Sequence, residues 1–287
     1  MASIKELRLR IGSLKNTNKI TAAMKLVASS KLKKSQDAMQ ENRPYSEKLA
    51  EVLGRVSGNS ESENPLIAER EVKKVRLYVY SSEKGLCGSF NNSIIKFVNR
   101  EVLPQFENIE IEIQTIGRKV KDFFSKRSEF NFVGDHGELT KLPNFNEIHP
   151  VAQQAMEDFK SGKIDAAYLV FNKFESILSQ VATLQQVLPI PRSSSEETGS
   201  STDYLYEPDQ DGLLDTLLPK HVAIQYYQAL LENSAGEHGA RMNAMENATK
   251  NSKELIDKLT LVMNRARQAA ITTELTEIVS GAESLKD

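Results

Sequence analysis

The chain has 287 residues, of which 39% are hydrophobic and 7% aromatic, a small supply of core-forming side chains for one globule of this length. A charged fraction of 26% with no tryptophan favours long helices beside a smaller globular part and excludes a disordered chain. The net charge of -2 creates no general attraction to nucleic acid or acidic lipid. One cysteine, Cys87, and no apolar run of about 18 residues predict a soluble protein of a reducing compartment.

Charge is nevertheless segregated along the chain. Residues 1–34 hold nine lysines and arginines against Glu6 alone, whereas residues 192–211 hold six acidic residues against Arg192. A basic, acid-poor amino terminus is typical of a transit peptide or of an arm that contacts an acidic partner. We disfavour the transit peptide because the helical pattern continues to residue 56 without a cleavage-like break.

Residues 1–57 carry the pattern of one long N-terminal helix. Its apolar residues step by three and four: Ile4, Leu7, Ile11 and Leu14, then, after a polar gap, Ile20, Met24 and Val27. So narrow a stripe is typical of a coiled-coil seam. Pro44 is predicted to kink or break this helix near Arg43. A polar linker over residues 58–71 follows.

Residues 72–191 change to a strand and helix alternation that predicts an α/β domain. Strands are predicted at 75–80, 109–115, 130–133, 166–171 and 180–188, with helices at 92–103, 118–126 and 150–160. Strands that alternate with helices indicate a mostly parallel sheet covered on both faces. An acidic, serine-rich linker and foot occupies residues 192–211.

Residues 212–287 are helical again. A short apolar element ends at Leu218, and Pro219 is predicted to open a second, long helix, in which Gly236 and Gly239 each cost about 1 kcal/mol relative to alanine. The predicted fold is therefore an antiparallel coiled coil of long N- and C-terminal helices bracketing a Rossmann-like α/β domain.

Catalytic and metal-binding patterns are absent from the sequence. There is no glycine-rich phosphate loop, and Gly85-Leu86-Cys87-Gly88 is interpreted as a tight strand-to-helix turn. Cys87 has no histidine close by in sequence, so we interpret it as structural rather than nucleophilic. The four histidines share no ligand spacing. We expect no catalytic, cofactor-binding or metal-binding residue in this chain.

Several segments, in order, resemble the gamma subunit of F-type ATP synthases of the bacterial type. They are residues 19–31 (KITAAMKLVASSK), 85–88 (GLCG) with Asn91, 204–208 (YLYEP), 265–272 (RARQAAIT) and 277–282 (EIVSGA). The resemblance covers nearly the whole chain. It implies a central-stalk rotor that couples ion flow through the c ring to ATP synthesis and hydrolysis at the beta subunits and contributes no catalytic side chain.

The resemblance also implies the partners and the location. Three alpha and three beta subunits would surround the terminal helices, and the epsilon subunit and the c ring would contact the foot. Membrane contact would be made only through the c ring, on the cytoplasmic face of the bacterial inner membrane. No cofactor and no nucleic acid are expected.

Individual residues take their expected roles from the same resemblance. Arg241 resembles the shaft arginine that meets an acidic loop of the beta subunits, with Met24 beside it. Gln268 and Thr272 resemble a polar pair that contacts a second beta loop, and Tyr204 and Glu207 resemble contacts to the c ring. If Met24 lies opposite Arg241 in the antiparallel pair, the numbers of any two opposed residues add up to about 265. Residues beyond about 262 then have no opposed residue in the N-terminal helix, and they would form a lone helix that needs a surrounding sleeve.

Two alternatives from other functional classes remain open on the sequence. The basic arm of residues 1–34 would also suit a coiled-coil protein that binds nucleic acid. The α/β domain would also suit an enzyme acting on a small ligand, although the chain lacks both a phosphate-binding pattern and a second catalytic group near Cys87.

Overall fold

The computed structural model describes residues 3–58, 64–128, 130–140, 143–191 and 210–283. Its elements are α1 (Ile4–Gly58), β1 (Lys74–Tyr80), α2 (Phe90–Phe97), β2 (Glu110–Ile116), α3 (Arg118–Phe124), β3 (Asn131–Asp135), α4 (Phe145–Lys160), β4 (Ala166–Phe174), β5 (Gln180–Leu188) and α5 (Gln210–Glu283). The chain divides into two compact units. We call residues 1–27 with 242–287 the helix-pair unit, and Ala28–Arg241 the sheet unit.

The sheet unit contains one five-stranded sheet in the order β3-β2-β1-β4-β5. Four strands are parallel and β5 pairs antiparallel with β4 at the edge. In β1, the side chains from Leu77 to Tyr80 are all fully buried, as expected of a central strand covered on both faces. The predicted, mostly parallel sheet is confirmed, and β5 has the predicted bounds.

Two hydrophobic clusters cover the two faces of this sheet. One contains apolar residues of α4, of α5 from Leu214 to Leu230, and of α1 at Leu49, Leu53 and Val56. The other contains apolar residues of α2, α3 and the turns after α2. These turns are a π-helical segment, Val98–Val102, and a 3-10 segment, Leu103–Phe106, where the sequence predicted one uninterrupted helix to residue 103.

Neither proline breaks its helix, contrary to the sequence-based prediction. α1 runs through Pro44, and α5 runs through Pro219, so the short element before Pro219 is the first part of α5. Pro44 and Gln40, whose carbonyl loses its helical donor at the proline, are both exposed. Water can therefore satisfy that carbonyl, and packing on either side of Pro44 holds the helix together.

The end of the predicted linker is packed rather than loose. Leu66 is 0% exposed and Ile67 is 5% exposed, and both belong to the cluster with α4 and α5. Asn64 donates from Nδ2 to Asp215 of α5 at 2.6 Å, and its side-chain oxygen accepts from the Leu66 N–H. These contacts fix the entry of the chain into β1.

In the helix-pair unit, the seam of α1 differs from the predicted stripe. Ser3 caps the helix by accepting from the Glu6 N–H, and Leu7 and Ile11 are buried as predicted. The seam then continues through polar residues, since Thr21 is 8% exposed whereas Ile20 is 60% and Val27 is 59% exposed. Ile20 and Val27 were thus wrongly assigned to the seam, because strict heptad spacing from Ile11 selects Asn18 and Thr21 instead.

The register of the helix pair is set by polar contacts. Asn18 donates to the carbonyl of Thr249 at 2.7 Å, and Lys25 pairs with Glu246 at 2.9 Å. The opposed residue numbers add up to 267 and 271, compared with about 265 in the sequence-based prediction. The antiparallel direction is as predicted, and the observed register differs from the predicted one by two to six residues, roughly 3–9 Å along the helix.

Candidate partner-contact sites

Arg241 lies at the end of the sheet unit on α5, and its guanidinium is engaged within the chain. Its side chain is 11% exposed and pairs with Glu237, one turn earlier, at 2.7 Å. Nε and Nη2 donate to the carbonyl of Gly85 at 3.3 and 3.2 Å, and Nη2 also donates to the carbonyl of Lys84 at 3.0 Å. The expected shaft arginine therefore also binds the turn after β1.

Burial and charge set the protonation of the groups around Arg241. Burial raises the pKa of Glu237, and the nearby charge of Arg241 partly opposes this effect. Burial, with the charges of Arg241 and Lys31, lowers the pKa of His238 to about 4. His238 is therefore neutral at pH 7, and its Nδ1 can accept from Nη1 of Arg241 at 3.1 Å.

The Gly85-Leu86-Cys87-Gly88 segment lies in the connection between β1 and α2, as predicted, but this connection has nine residues, 81–89, and is longer than a tight turn. Leu86 and Gly88 have φ angles of 63° and 61°, and the Leu86 side chain is 63% exposed. Cys87 is 2% exposed and lies against Asn91, whose Nδ2 is 3.2 Å from Sγ. Burial raises the pKa of the Cys87 thiol, which agrees with the structural interpretation of this cysteine.

Met24 lies in the helix-pair unit and is half-buried. Its neighbours on α1 are Thr21, which shares a hydrogen bond of 2.7 Å with the Thr249 hydroxyl, and Lys25, which pairs with Glu246. Met24 thus lies beside the polar part of the seam, with part of its side chain free to contact another protein.

The outer face of α1 carries exposed apolar residues that sequence reasoning missed as candidate contacts. Leu9 is 68% and Leu26 is 72% exposed, in addition to Ile20 and Val27. Their positions outside the heptad seam are the signal that could have identified them. Together with the lysines and arginines of this segment, they form a mixed apolar and basic surface.

The end of α5 is exposed on all sides. Every residue from Ile271 to Ser280 is exposed, and this segment includes four large apolar side chains. Their exposed fractions are 47% for Ile271, 58% for Leu275, 68% for Ile278 and 62% for Val279. We call this segment the overhang.

Gln268 and Thr272 lie next to each other immediately before and within the overhang. Both are exposed, and the Thr272 hydroxyl donates to the carbonyl of Gln268 at 2.9 Å. The Gln268 amide therefore remains available to an external partner. Tyr204 and Glu207, the expected c-ring contacts, lie outside the described residues.

The described residues include neither a metal-binding cluster nor a helix that could span a membrane. Within the described ranges, no group of three or more His, Cys, Asp or Glu side chains is placed to hold a metal ion. Nor does any helix in these ranges provide a stretch that is long and apolar enough to cross a membrane.

Comparisons with known proteins cover the full length of the chain. A family model described as ATP synthase matches residues 3–285. The chain is 45% identical to the ATP synthase gamma chain of Geobacter metallireducens and 43% identical to that of Anaeromyxobacter sp. (strain Fw109-5), with 100% of both sequences covered in each case.

Chains in solved structures of ATP synthases also match this chain. A chain in the central stalk and c-ring structure of the Tetrahymena thermophila mitochondrial ATP synthase matches with a TM-score of 0.58 and 26% identity, over 80% of this chain and 99% of that one. A chain in an OSCP/F1/c-ring structure of the Euglena gracilis enzyme matches with a TM-score of 0.67 over 98% of this chain and 94% of that one. At 19% identity, this second likeness concerns the fold alone.

Proposed function

Because the chain belongs to the ATP synthase gamma-chain family, we propose that it turns as the shaft within a ring of three alpha and three beta subunits. As a gamma chain it is a non-catalytic subunit of the central stalk, and catalysis is carried out by the beta subunits. The nucleic-acid alternative receives no support from the comparisons. Rotation would couple ion flow through the c ring to ATP synthesis and hydrolysis.

The observation that carries this proposal is the overhang of α5. An isolated helical end is marginal in water, because few of its residues gain from packing. This one also exposes four large apolar side chains within about three turns, roughly 16 Å of helix. A surrounding sleeve would bury these side chains, and the alpha and beta subunits provide the sleeve in this proposal.

Coupling follows from the asymmetry of the shaft. A single chain inside a threefold ring presents a different face to each beta subunit, so each catalytic site is biased by the free energy of that contact. Turning the shaft moves the bias from one site to the next. We assign beta-subunit contacts to Met24, Arg241, Gln268 and Thr272.

We also assign c-ring contacts to Tyr204 and Glu207, with the epsilon subunit beside the foot. The chain would thus be held at the cytoplasmic face of the bacterial inner membrane through the c ring alone.

Co-purification of tagged variants tests the proposal. The wild-type chain is expected to recover three alpha and three beta subunits per copy, with ATPase activity that the isolated chain lacks. Leu275→Asp with Ile278→Asp is expected to reduce that recovery by about tenfold or more, because two charges would enter a surface that the sleeve buries.

The control is Leu178→Asp, which changes a residue that is 78% exposed in the turn between β4 and β5. It should leave the recovery of alpha and beta subunits unchanged. Equal recovery by the overhang variant and the wild type would contradict the sleeve, and recovery of nucleic acid instead of these subunits would contradict the proposed function.

A further inference from the structure

The turn of residues 84–88 is held both by local hydrogen bonds and by contacts to α5. Locally, the Lys84 carbonyl accepts from Ser82 Oγ at 2.7 Å, and the Cys87 carbonyl accepts from the Phe90 N–H at 3.3 Å. Leu86 is in the left-handed region with φ 63°, which is unfavourable for a leucine, and its side chain is largely exposed. Such a conformation persists only when surrounding contacts hold it. Two backbone carbonyls of the turn, those of Lys84 and Gly85, accept hydrogen bonds from Arg241.

Arg241 is itself held in position. At least four of its five N–H groups have acceptors: the two carbonyls of the turn, the Glu237 carboxylate at 2.7 Å and Nδ1 of His238 at 3.1 Å. The Glu237 side chain is only 7% exposed, so its carboxylate contacts the guanidinium with little competition from water. Glu237 and Arg241 are one helical turn apart on α5.

These contacts join two distant parts of the chain. The hydrogen bonds from Arg241 to Gly85 span 156 residues of sequence, and they attach the turn to α5. Cys87 belongs to the same turn and is 2% exposed, and its thiol is close enough to Arg241 and Glu237 for their charges to affect its pKa. Opening the turn would therefore uncover the thiol.

We propose that Glu237 is a positioning residue that fixes Arg241, and that Arg241 latches the turn of residues 84–88 onto α5. The latch sets the position in which Leu86 and Lys84 are presented to a partner. The closed latch also limits the number of hydrogen bonds that Arg241 can donate to a partner, because at most one of its N–H groups remains for an external carboxylate. The latch is a property of the chain itself. Its effect on rotary coupling, through the beta-subunit contact assigned to Arg241, rests on the proposed function.

Reactivity of the single cysteine measures the latch in the full-length chain. The rate of Cys87 modification by N-ethylmaleimide is compared among wild type, Arg241→Ala, Glu237→Gln and Arg241→Lys. The matched control is Arg43→Ala, which breaks an exposed pair with Glu47, also one turn apart, at 2.6 Å. Each rate is measured at two urea concentrations far below the unfolding midpoint, because a local opening is insensitive to denaturant.

Arg241→Ala is expected to raise the modification rate by about tenfold or more, and Glu237→Gln by a smaller factor. Arg241→Lys should lie between Arg241→Ala and wild type, because an ammonium keeps the charge but not the planar fork. Arg43→Ala should react like wild type. If Arg241→Ala does not fold, the Cys87 modification rates of Arg241→Lys and Glu237→Gln provide the same test.

If Cys87 in Arg241→Ala is modified at the wild-type rate, the latch is overturned. It is also overturned if the modification rate rises with urea in proportion to global unfolding. A wild-type rate in Glu237→Gln would overturn the positioning role of Glu237.

The link to coupling is tested separately in the assembled complex, in inverted membrane vesicles. Proton pumping per ATP hydrolysed should fall in Glu237→Gln and stay unchanged in Arg43→Ala. Unchanged pumping in Glu237→Gln would overturn the link to coupling. A wild-type complex that pumps neither H⁺ nor Na⁺ would instead contradict the proposed function, and the thiol measurement on the chain alone would be unaffected.

Discussion

A Cβ atom placed on Gly236 would stand 2.9 Å from Cε2 of Phe90 and 3.3 Å from Cγ of Gln180. Phe90 begins α2 and is 3% exposed, so its ring has no free space into which to move. Gly239 repeats this close approach, with Cε2 of Phe174 at 3.3 Å from the site of its missing Cβ. The two glycines thus bring α5 close to α2 and to the β4–β5 hairpin.

Gly236→Ala is therefore expected to destabilise the chain, although alanine favours helix by about 1 kcal/mol. Overpacking against Phe90 should cost about 1–3 kcal/mol, so the predicted net loss is up to about 2 kcal/mol in urea unfolding. Gly12→Ala is the control, since its added Cβ would have no atom within 4 Å apart from the adjoining residues and backbone of its own helix, and it should gain about 0.5–1 kcal/mol. Stabilisation by both substitutions would contradict the tight contact.

Asp158 is expected to make stability fall in acid. Burial disfavours its charged form, but hydrogen bonds from Arg76, Lys163 and Gln154 outweigh burial and lower the pKa of Asp158. A carboxyl with a lowered folded-state pKa stabilises the protein above its unfolded pKa of about 3.9, and this stability is lost as pH falls through the folded-state pKa. The side chains of Arg76 and Asp158 are 11% and 8% exposed, so the pair is well shielded from solvent.

The measurement is the free energy of unfolding between pH 7 and pH 3 in wild type and Asp158→Asn. The variant should lose about 3 kcal/mol at pH 7, because Arg76 keeps Glu112 but loses one of the two carboxylates that pair with it, and the difference should shrink below about pH 4. Asp122→Asn, at an exposed pair with Arg118, should behave like wild type at both pH values. A difference between Asp158→Asn and wild type that is independent of pH would show that the charge of Asp158 is not the cause.

The overhang is expected to exchange its amide hydrogens rapidly in the isolated chain and slowly in the assembled complex. Its residues from Ile271 to Ser280 are all exposed, so only local helical hydrogen bonds oppose opening. Peptides covering residues 242–255 serve as the internal comparison, because Met245 is 5% and Ser252 is 7% exposed. Equally slow exchange of both regions in the isolated chain would contradict the prediction.

Thr249 is expected to matter more to the helix pair than the ion pair beside it. Its hydroxyl contacts Thr21 and donates to the carbonyl of Met245, with each distance 2.7 Å. Thr249→Val should cost about 1 kcal/mol in helix-pair stability, measured by hydrogen exchange of residues 7–21. Lys25→Met should cost less than about 0.5 kcal/mol, because the Lys25 and Glu246 side chains are 37% and 55% exposed. A larger loss in Lys25→Met would reverse this ranking.

The strands of the sheet could be predicted from the sequence because their signals are local. Val75 to Tyr80 form a nearly continuous apolar run, and such a run is favourable only where both faces of a strand are covered. The long terminal helices were predicted in the same way, from spacing by three and four residues. The absence of a catalytic neighbour in sequence led to the interpretation of Cys87 as structural, and its 2% exposure agrees with that interpretation.

The sequence-based predictions are wrong where the hydrophobicity of a residue disagrees with its position on the helix. Ile20 and Val27 are apolar but exposed, and Thr21 is polar but buried, because heptad geometry rather than side-chain type decides which face of α1 meets α5. The predictions that α1 could break at Pro44 and that Pro219 opens a separate helix are also wrong, since each proline lies inside a continuous helix. A proline inside a helix costs about 3 kcal/mol through its lost hydrogen bond and its steric clash together, and packing along helices of 55 and 74 residues outweighs this cost.

The sequence by itself therefore determined the order and type of the elements, the antiparallel direction of the terminal helices and the family. Only the tertiary structure decided that Gly236 is needed for close packing, that Leu66 belongs to the core and that Arg241 binds the turn after β1. Each of these depends on atoms from segments far apart along the chain, and local propensity and periodicity carry no information about such contacts.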